Sequence, residues 1–386
     1  MFSAPEGTRF VLPPEARQRA QLVEKLQKLY DSWGYARVDT PMLEPYAPSH
    51  PRAEQSFKLS DRDSGVLSLR SDFTTALSAM VETYFSQEKE PMRFQYAGHL
   101  LLAIKNPDLA RTREFTQLGL ELIGVSNARA DAELIHLARE SVRAVGLTPR
   151  VELGNPGFVQ VLFDLAEIPK SQQNSLADAI DRKDEATLES LLTTFSLPHD
   201  LYKVLKAVPD LYGGVDILAE AKKLTPWPEA RAKLERIEAV LAEFEDDSEL
   251  LIDLGMARRL SYYTGITFRA YTYDFGQPLL GGGRYDGALM PYAAGFGIGL
   301  ERLLSALPQK GARTVAEVIT LEDIPARALR NAGIWVERAL STDVSEVKAY
   351  AKKKGILYLL SEEGLEPLGD KTVPAEYLRL LEAQDG

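Results

Sequence analysis

The chain of 386 residues contains no cysteine. Disulfides, cysteine nucleophiles and thiolate metal sites are therefore excluded, and the composition fits a reducing compartment. Histidine is scarce: His50, His99, His136 and His199 are scattered, none at metal-ligand spacing, and none is assigned a role. No apolar run reaches the roughly 18 residues that a membrane-spanning helix requires. Met1 to Arg9 is short and polar where a secretory signal needs an apolar stretch, so the cytoplasm is the expected location. Positive charge is also in deficit, the net charge being −11. Proteins that grip RNA draw most of their affinity from neutralised phosphates. The balance therefore disfavours tRNA binding, although a local basic patch would be compatible with it.

What is present is 45% hydrophobic, enough for one large core and a smaller domain. Ala16, Ala20, Val23, Leu26, Tyr30 and Trp33 recur at steps of three and four, which predicts a helix over Pro14 to Trp33, stopped by Gly34. A strand follows over Tyr35 to Thr40, and a helix over Asp72 to Phe85 with Ser71 as its N-cap. Strands are expected at Arg93 to Ile104 and Glu114 to Val125, then a helix from Ala130 to Val145 ended by Gly146. From Pro156 to about Glu245, leucine and alanine at helical spacing indicate an inserted helical subdomain. Strands return at Leu250 to Leu254 and Ile266 to Phe275. A glycine-rich turn at Gly281 to Gly283, a glycine-dotted strand and a helix around Phe296 to Leu307 follow. After a linker at Pro308 to Gly311 the remainder alternates strand and helix. The expected fold class is α+β: a mostly antiparallel sheet flanked by helices over 1–307, with a helical insertion at about 156–245, and a small C-terminal α/β domain over 312–386.

Five segments carry chemistry. Along the strand Glu114 to Val125, side chains alternate, so Arg113, Gln117 and Glu121 share one face and Leu118, Leu120 and Leu122 the other. The leucines belong in a core. The polar face is either solvated or a binding surface, and Gly119 between its polar groups would let a ligand approach the backbone. Arg258 to Gly265 offers a guanidinium fork for an anion and the paired rings of Tyr262 and Tyr263; two packing tyrosines on a core strand are the alternative. Gly281-Gly282-Gly283-Arg284-Tyr285-Asp286 permits close backbone approach or a plain hairpin turn, and matches neither a P-loop nor a dinucleotide fingerprint. Gly295 to Leu303 brings a glycine-dotted strand into a helix carrying Arg302, which is otherwise a surface arginine. Asp72 and Thr74 stand at a helix start, either as capping groups or as acceptors aimed at an ammonium.

In order, these segments resemble the class II aminoacyl-tRNA synthetases, and within them the histidyl branch, over roughly residues 5 to 307. Gly34-Tyr35 through Pro41 and Glu44 looks like motif 1, Gly98 through Gly124 like motif 2, and Gly295 to Leu303 like motif 3. Arg258 to Gly265 and Gly281 to Asp286 are similar to the branch's Arg-Gly-Leu-Asp-Tyr-Tyr and Gly-Gly-Arg-Tyr-Asp segments. Three departures stand out. Leu102-Ala103-Ile104 occupies the place of the motif 2 Arg-x-Glu. Arg259 and Ser261 replace a glycine and an aspartate of the histidine signature. The tail after Arg302 is short for an anticodon-binding domain, and its Lys348, Lys352, Lys353 and Lys354 read as a solvated helix face.

A synthetase-like pocket without the catalytic arginine resembles the regulatory subunits of ATP phosphoribosyltransferase. That resemblance implies no aminoacylation, no cofactor and histidine as ligand. It implies that Glu121 and Tyr263 hold the imidazole, Asp72, Thr74 and Gln117 the ammonium, and Arg258 the carboxylate; Arg113 and Tyr262 line the same pocket. It further implies a homodimer through motif 1 and a hetero-octamer with the short-form catalytic subunit. The alternatives are a histidyl-tRNA synthetase with divergent motifs and a sensor acting on another partner.

Overall fold

The computed structural model describes residues 3–62, 65–105, 112–257, 263–287, 290–308 and 315–383. They form two compact units, one of residues 1–11 and 18–309, the other of residues 12–17 and 310–386.

The first unit is built on a nine-stranded sheet. Its strands are β1 (Ala36–Arg37), β5 (Met92–Leu101), β6 (Glu114–Ile123), β7 (Pro149–Gly154), β8 (Tyr212–Gly213), β9 (Leu250–Asp253), β10 (Thr267–Thr272), β11 (Phe275–Arg284) and β12 (Ala293–Gly299). They lie in the order β1-β5-β6-β12-β11-β10-β7-β9-β8, antiparallel except where β1 meets β5 and β7 meets β9. Strand alternation sends Leu118, Leu120 and Leu122 of β6, Phe296 and Ile298 of β12, and Phe268 and Ala270 of β10 to one face, where all are buried. Helix α3 (Ala128–Ala144) covers that face with Leu134, Ile135, Ala138 and Val142, and α1 (Pro13–Ser32) adds Leu22, Leu26 and Tyr30. Each such leucine contributes about 1.5–3 kcal/mol by leaving water. Helix α3 starts where Asn127 Oδ1 accepts from the Ala130 N–H and ends before Gly146, whose φ of 86° only glycine adopts readily.

Between β7 and β9 the chain forms a helical bundle: α4 (Pro156–Leu165), α5 (Lys170–Asp181), α6 (Glu185–Leu192), α7 (His199–Ala207), α8 (Ile217–Leu224) and α9 (Pro228–Leu241). Asn155 caps α4, with Pro156 in its first turn, and Leu162, Ile180, Val204, Leu234 and Ile237 continue the main core into the bundle.

A second sheet of three strands runs β2 (Leu43–Pro45), β4 (Val66–Leu69), β3 (Lys58–Ser60). Its register puts Leu43, Leu59, Leu67 and Leu69 on one face, and Glu44 and Ser68 on the other. Leu43 is 52% and Leu59 41% exposed on the leucine face; on the other face Ser68 is buried and Val66 is 50% exposed.

The second unit has a sheet in the order β14 (Val336–Arg338), β13 (Val318–Thr320), β15 (Tyr358–Ser361), β16 (Gly364–Pro367), parallel except for β16. Val318, Tyr358 and Leu360 pack with α11 (Asp323–Asn331) and α13 (Ala375–Glu382); Ile319 and Leu359 pack with α12 (Val344–Lys354). On α12, Lys348 pairs with Glu366 at 2.8 Å and Lys354 with Glu337 at 3.2 Å, so these lysines lie against carboxylates.

Several local expectations are corrected. Gly281 to Gly283 is not a turn but part of β11, and Gly283 lies where strands pack too closely for a Cβ, which would come within 2.7 Å of the Ile266 carbonyl. The last helix of the first unit, α10 (Leu300–Ala306), begins after β12 rather than at Phe296. Ser71 does not cap α2 (Thr74–Tyr84); Asp72 Oδ1 takes the Thr75 N–H at 2.9 Å instead.

Candidate functional site

The face of the central sheet opposite α3 is floored by backbone. On β6 it presents Gln117, Gly119 and Glu121. Opposite them on β12 stand Gly299, Gly297 and Gly295, and the next strand, β11, adds Gly281 and Gly283 in register. On the other side β5 contributes Gly98, Tyr96 and Phe94. The glycines leave room for side chains to lie flat. A Cβ on Gly295 would overlap the Glu121 carboxylate, one on Gly297 would sit 2.6 Å from Gln117 Nε2, and one on Gly119 would overlap the Tyr96 ring. The space over Gly119 is therefore filled by Tyr96, which the sequence reading left open for a ligand. The Tyr96 hydroxyl accepts from Gln117 Nε2 at 3.2 Å, and its ring stacks on Phe73 at 4.2 Å.

Glu121 is the centre of this surface. It is 2% exposed, Oε2 accepts from the Tyr285 hydroxyl at 2.5 Å, and Oε1 accepts from Thr74 Oγ1 at 3.3 Å. Burial pushes its carboxyl up to about 7; the Tyr285 and Thr74 hydrogen bonds oppose the rise and the Asp72 charge adds to it. Burial, then the Glu121 charge, hold the Tyr285 phenol well above its ordinary value. Asp72 Oδ2 lies 2.9 Å from His50 Nε2, whose Nδ1 accepts from the Arg52 N–H. Glu44 is raised to about 7 as well, by burial and then by Asp72, against the pull of Arg70. Arg70 itself is buried across the Phe73 ring and donates to the carbonyls of Thr40 and His99. Three carboxyl groups thus share one electrostatic neighbourhood, an environment suited to a cation with several donors. Among the described residues no group of His, Asp and Glu is arranged to hold a metal ion.

Of the residues nominated from sequence, the structure brings Thr74 onto Glu121, sets Asp72 beside them, and puts Gln117 on the same strand face. Tyr263 joins the cluster of Tyr285, Phe94 and Ile123. Arg113 is turned aside: its Nε and Nη2 donate to the Ile104 carbonyl at 3.3 and 3.2 Å. Arg258 and Tyr262 lie outside the described residues. Leu102 follows β5 directly, its N–H donating to the Arg113 carbonyl at 2.8 Å.

Comparison with known proteins gives the family. A family model described as histidyl-tRNA synthetase matches residues 7–303. The chain is 45% identical to the ATP phosphoribosyltransferase regulatory subunit of Thermus thermophilus over 94% of its own length and 98% of the relative's. It is 42% identical to that of Deinococcus radiodurans, over 91% and 87%. It belongs to the histidyl-tRNA-synthetase-like family of ATP phosphoribosyltransferase regulatory subunits. Among solved structures, an ATP phosphoribosyltransferase regulatory subunit/histidyl-tRNA synthetase from Bacillus halodurans superposes with a TM-score of 0.78 at 26% identity, over 94% of this chain and 97% of that one. A histidyl-tRNA synthetase from Nostoc shares the fold with a TM-score of 0.82 at 20% identity, over 100% and 99%.

Among the side chains gathered around Glu121, Gln117 and Asp72, Tyr285, Tyr96 and His50 are not expected from the sequence. Tyr285 lies within Gly-Gly-Arg-Tyr-Asp, whose glycines read locally as a turn. Tyr285 follows Arg284, the last residue of β11, and the extended backbone sends the two to opposite faces. His50 carried no local signal, because its partner Asp72 is distant in sequence.

Proposed function

We propose that the chain is a non-catalytic regulatory subunit of ATP phosphoribosyltransferase, serving in the cytoplasm the first step of histidine biosynthesis and its feedback control by histidine. The observation that carries this reading is Glu121: a buried carboxylate, held by Tyr285 and Thr74 on a glycine floor, with aliphatic Leu102 where the resemblance expects an arginine. In this reading Glu121 and Tyr263 take the imidazole nitrogens, Asp72, Thr74 and Gln117 the α-ammonium, and Arg258 the carboxylate. Leu102 cannot neutralise charge developing on a phosphate. Losing one preorganised contact of that kind costs on the order of 2.7–4 kcal/mol in the transition state, which supports a pocket that binds without activating.

A histidine signal has to reach a catalytic chain, and by linkage the catalytic chain must alter histidine affinity by the same factor. The exposed Leu43 and Leu59, on the face that also carries the half-buried Leu67 and Leu69, support a homodimer at this sheet. The full assembly in this reading is a hetero-octamer with the short-form catalytic subunit.

The test is reconstitution. Mixed with a short-form ATP phosphoribosyltransferase catalytic chain, the protein should raise its activity, and added histidine should then lower it. Robust histidine-dependent ATP–pyrophosphate exchange by the chain alone would instead make it a synthetase.

A further inference from the structure

The Arg284-Tyr285-Asp286 segment does more than support the floor. Arg284 ends β11 and Tyr285 follows it, and the two face opposite sides of the sheet. On the ligand side, the buried Tyr285 hydroxyl reaches Glu121 Oε2. On the helix side, the buried Arg284 guanidinium donates through Nε to Asp131 Oδ1 at 2.7 Å. Its Nη1 donates to the Val125 carbonyl and to Asp286 Oδ1, both at 2.8 Å. Asp286 Oδ1 in turn accepts from the Ala293 N–H at 3.1 Å, where β12 begins. One guanidinium therefore gathers the ends of β6, β11 and β12, the strands that carry Glu121 and the glycine floor.

Asp131 is the second link. It lies in the first turn of α3, is buried, and its other oxygen is taken by the helical insertion: Arg236 of α9 donates to Oδ2 from Nε at 3.1 Å and from Nη2 at 2.6 Å. Arg236 Nη2 also donates to the Ser126 carbonyl at 2.8 Å. Arg236 is 27% exposed, whereas Arg284 and Asp131 are almost wholly enclosed. A buried carboxylate shared by two guanidinium groups tolerates little displacement, because loss of either partner leaves charge uncompensated away from water.

We propose that Arg236, Asp131 and Arg284 form a positioning relay through which the helical insertion sets the placement of Tyr285 and hence of the Glu121 carboxylate. The relay rests on the reading of the Glu121 surface as the histidine site, and deepens it by naming the element that tunes that site. Displacement of α9 pulls on Asp131. The Arg284 fork follows, and the backbone it shares with Tyr285 shifts the hydroxyl relative to Glu121.

The experiment is calorimetric titration of the full-length chain with L-histidine. Tyr285→Phe, which removes one hydrogen bond to a charged group, should weaken binding about tenfold. Arg236→Ala, remote from the ligand, should weaken it by about threefold or more. The double variant should bind no worse than about twofold below Tyr285→Phe alone, because the relay acts through that hydroxyl. Arg236→Lys, which restores a donor and the charge but not the fork, should recover most of the loss. A role confined to fold stability would give multiplicative effects and no such rescue. Should Arg236→Ala fail to fold, Arg236→Gln carries the same comparison. Unchanged histidine affinity in Arg236→Ala, or effects that simply multiply in the double variant, overturn the relay. Glu121→Ala separates the two claims: loss of binding upholds the site whatever the Arg236 variants do, and retained binding removes the site and the relay together.

Discussion

Gly295 stands directly opposite Glu121 on the neighbouring strand, and its missing side chain is the space that the Glu121 carboxylate occupies. A Cβ there would also collide with the Leu120 carbonyl, which is backbone and cannot swing away. A Cβ on Gly297 would meet chiefly the mobile end of Gln117. Gly295→Ala should therefore destabilise the chain by about 1–3 kcal/mol, and Gly297→Ala by clearly less. Urea unfolding of the two variants makes the comparison, and equal losses would contradict a floor shaped around Glu121.

Glu121 also makes stability depend on pH. Its carboxyl is raised from 4.5 to about 7, so between those values the folded chain keeps a proton that the unfolded chain has released. Stability without ligand should then fall as pH rises through this window, by on the order of 3 kcal/mol in total. Glu44, raised to about 7 as well, acts in the same direction. Glu121→Gln keeps an acceptor for Tyr285 and removes the titration, so its gain over wild type should be larger at pH 8 than at pH 5. Denaturant melts at both values test this, and a pH-independent difference would count against a buried titrating carboxylate.

Under the proposed function, Leu102 is one of several departures from the synthetase motifs. Leu102→Arg alone should not restore tRNA charging, since Arg259 and Ser261 still interrupt the histidine signature. Aminoacylation by that single variant, measured with histidine, ATP and tRNA, would prove the remaining positions sufficient.

The outward leucines make a prediction about assembly. Leu59→Glu places a charge on the exposed apolar face of the three-stranded sheet without disturbing the buried Ser68 on the other. It should convert a dimer to monomers in sedimentation velocity with little change in monomer stability. A variant that still sediments as wild type would move the interface elsewhere.

Much of this protein follows from patterns of residue type along the chain. The alternation of leucines with Gln117, Gly119 and Glu121 specified a strand with one core face and one polar face, because consecutive side chains on an extended backbone must point apart. The leucine spacing from Pro156 onward likewise specified helices, and the ordered glycine, arginine and tyrosine segments specified the family. The pairings across sequence were not legible. Nothing local tells Asp72 that His50 will face it, or Asp131 that Arg284 and Arg236 will share it. The glycine run at Gly281 to Gly283 reads locally as a turn; only its register against Gly295 to Gly297 makes it a floor. Sequence determines what each residue is able to do within its own turn or strand. The proximity of distant residues, and the burial that raises Glu121, belong to the tertiary fold, because dielectric environment and partner geometry arise only when separate segments exclude water together.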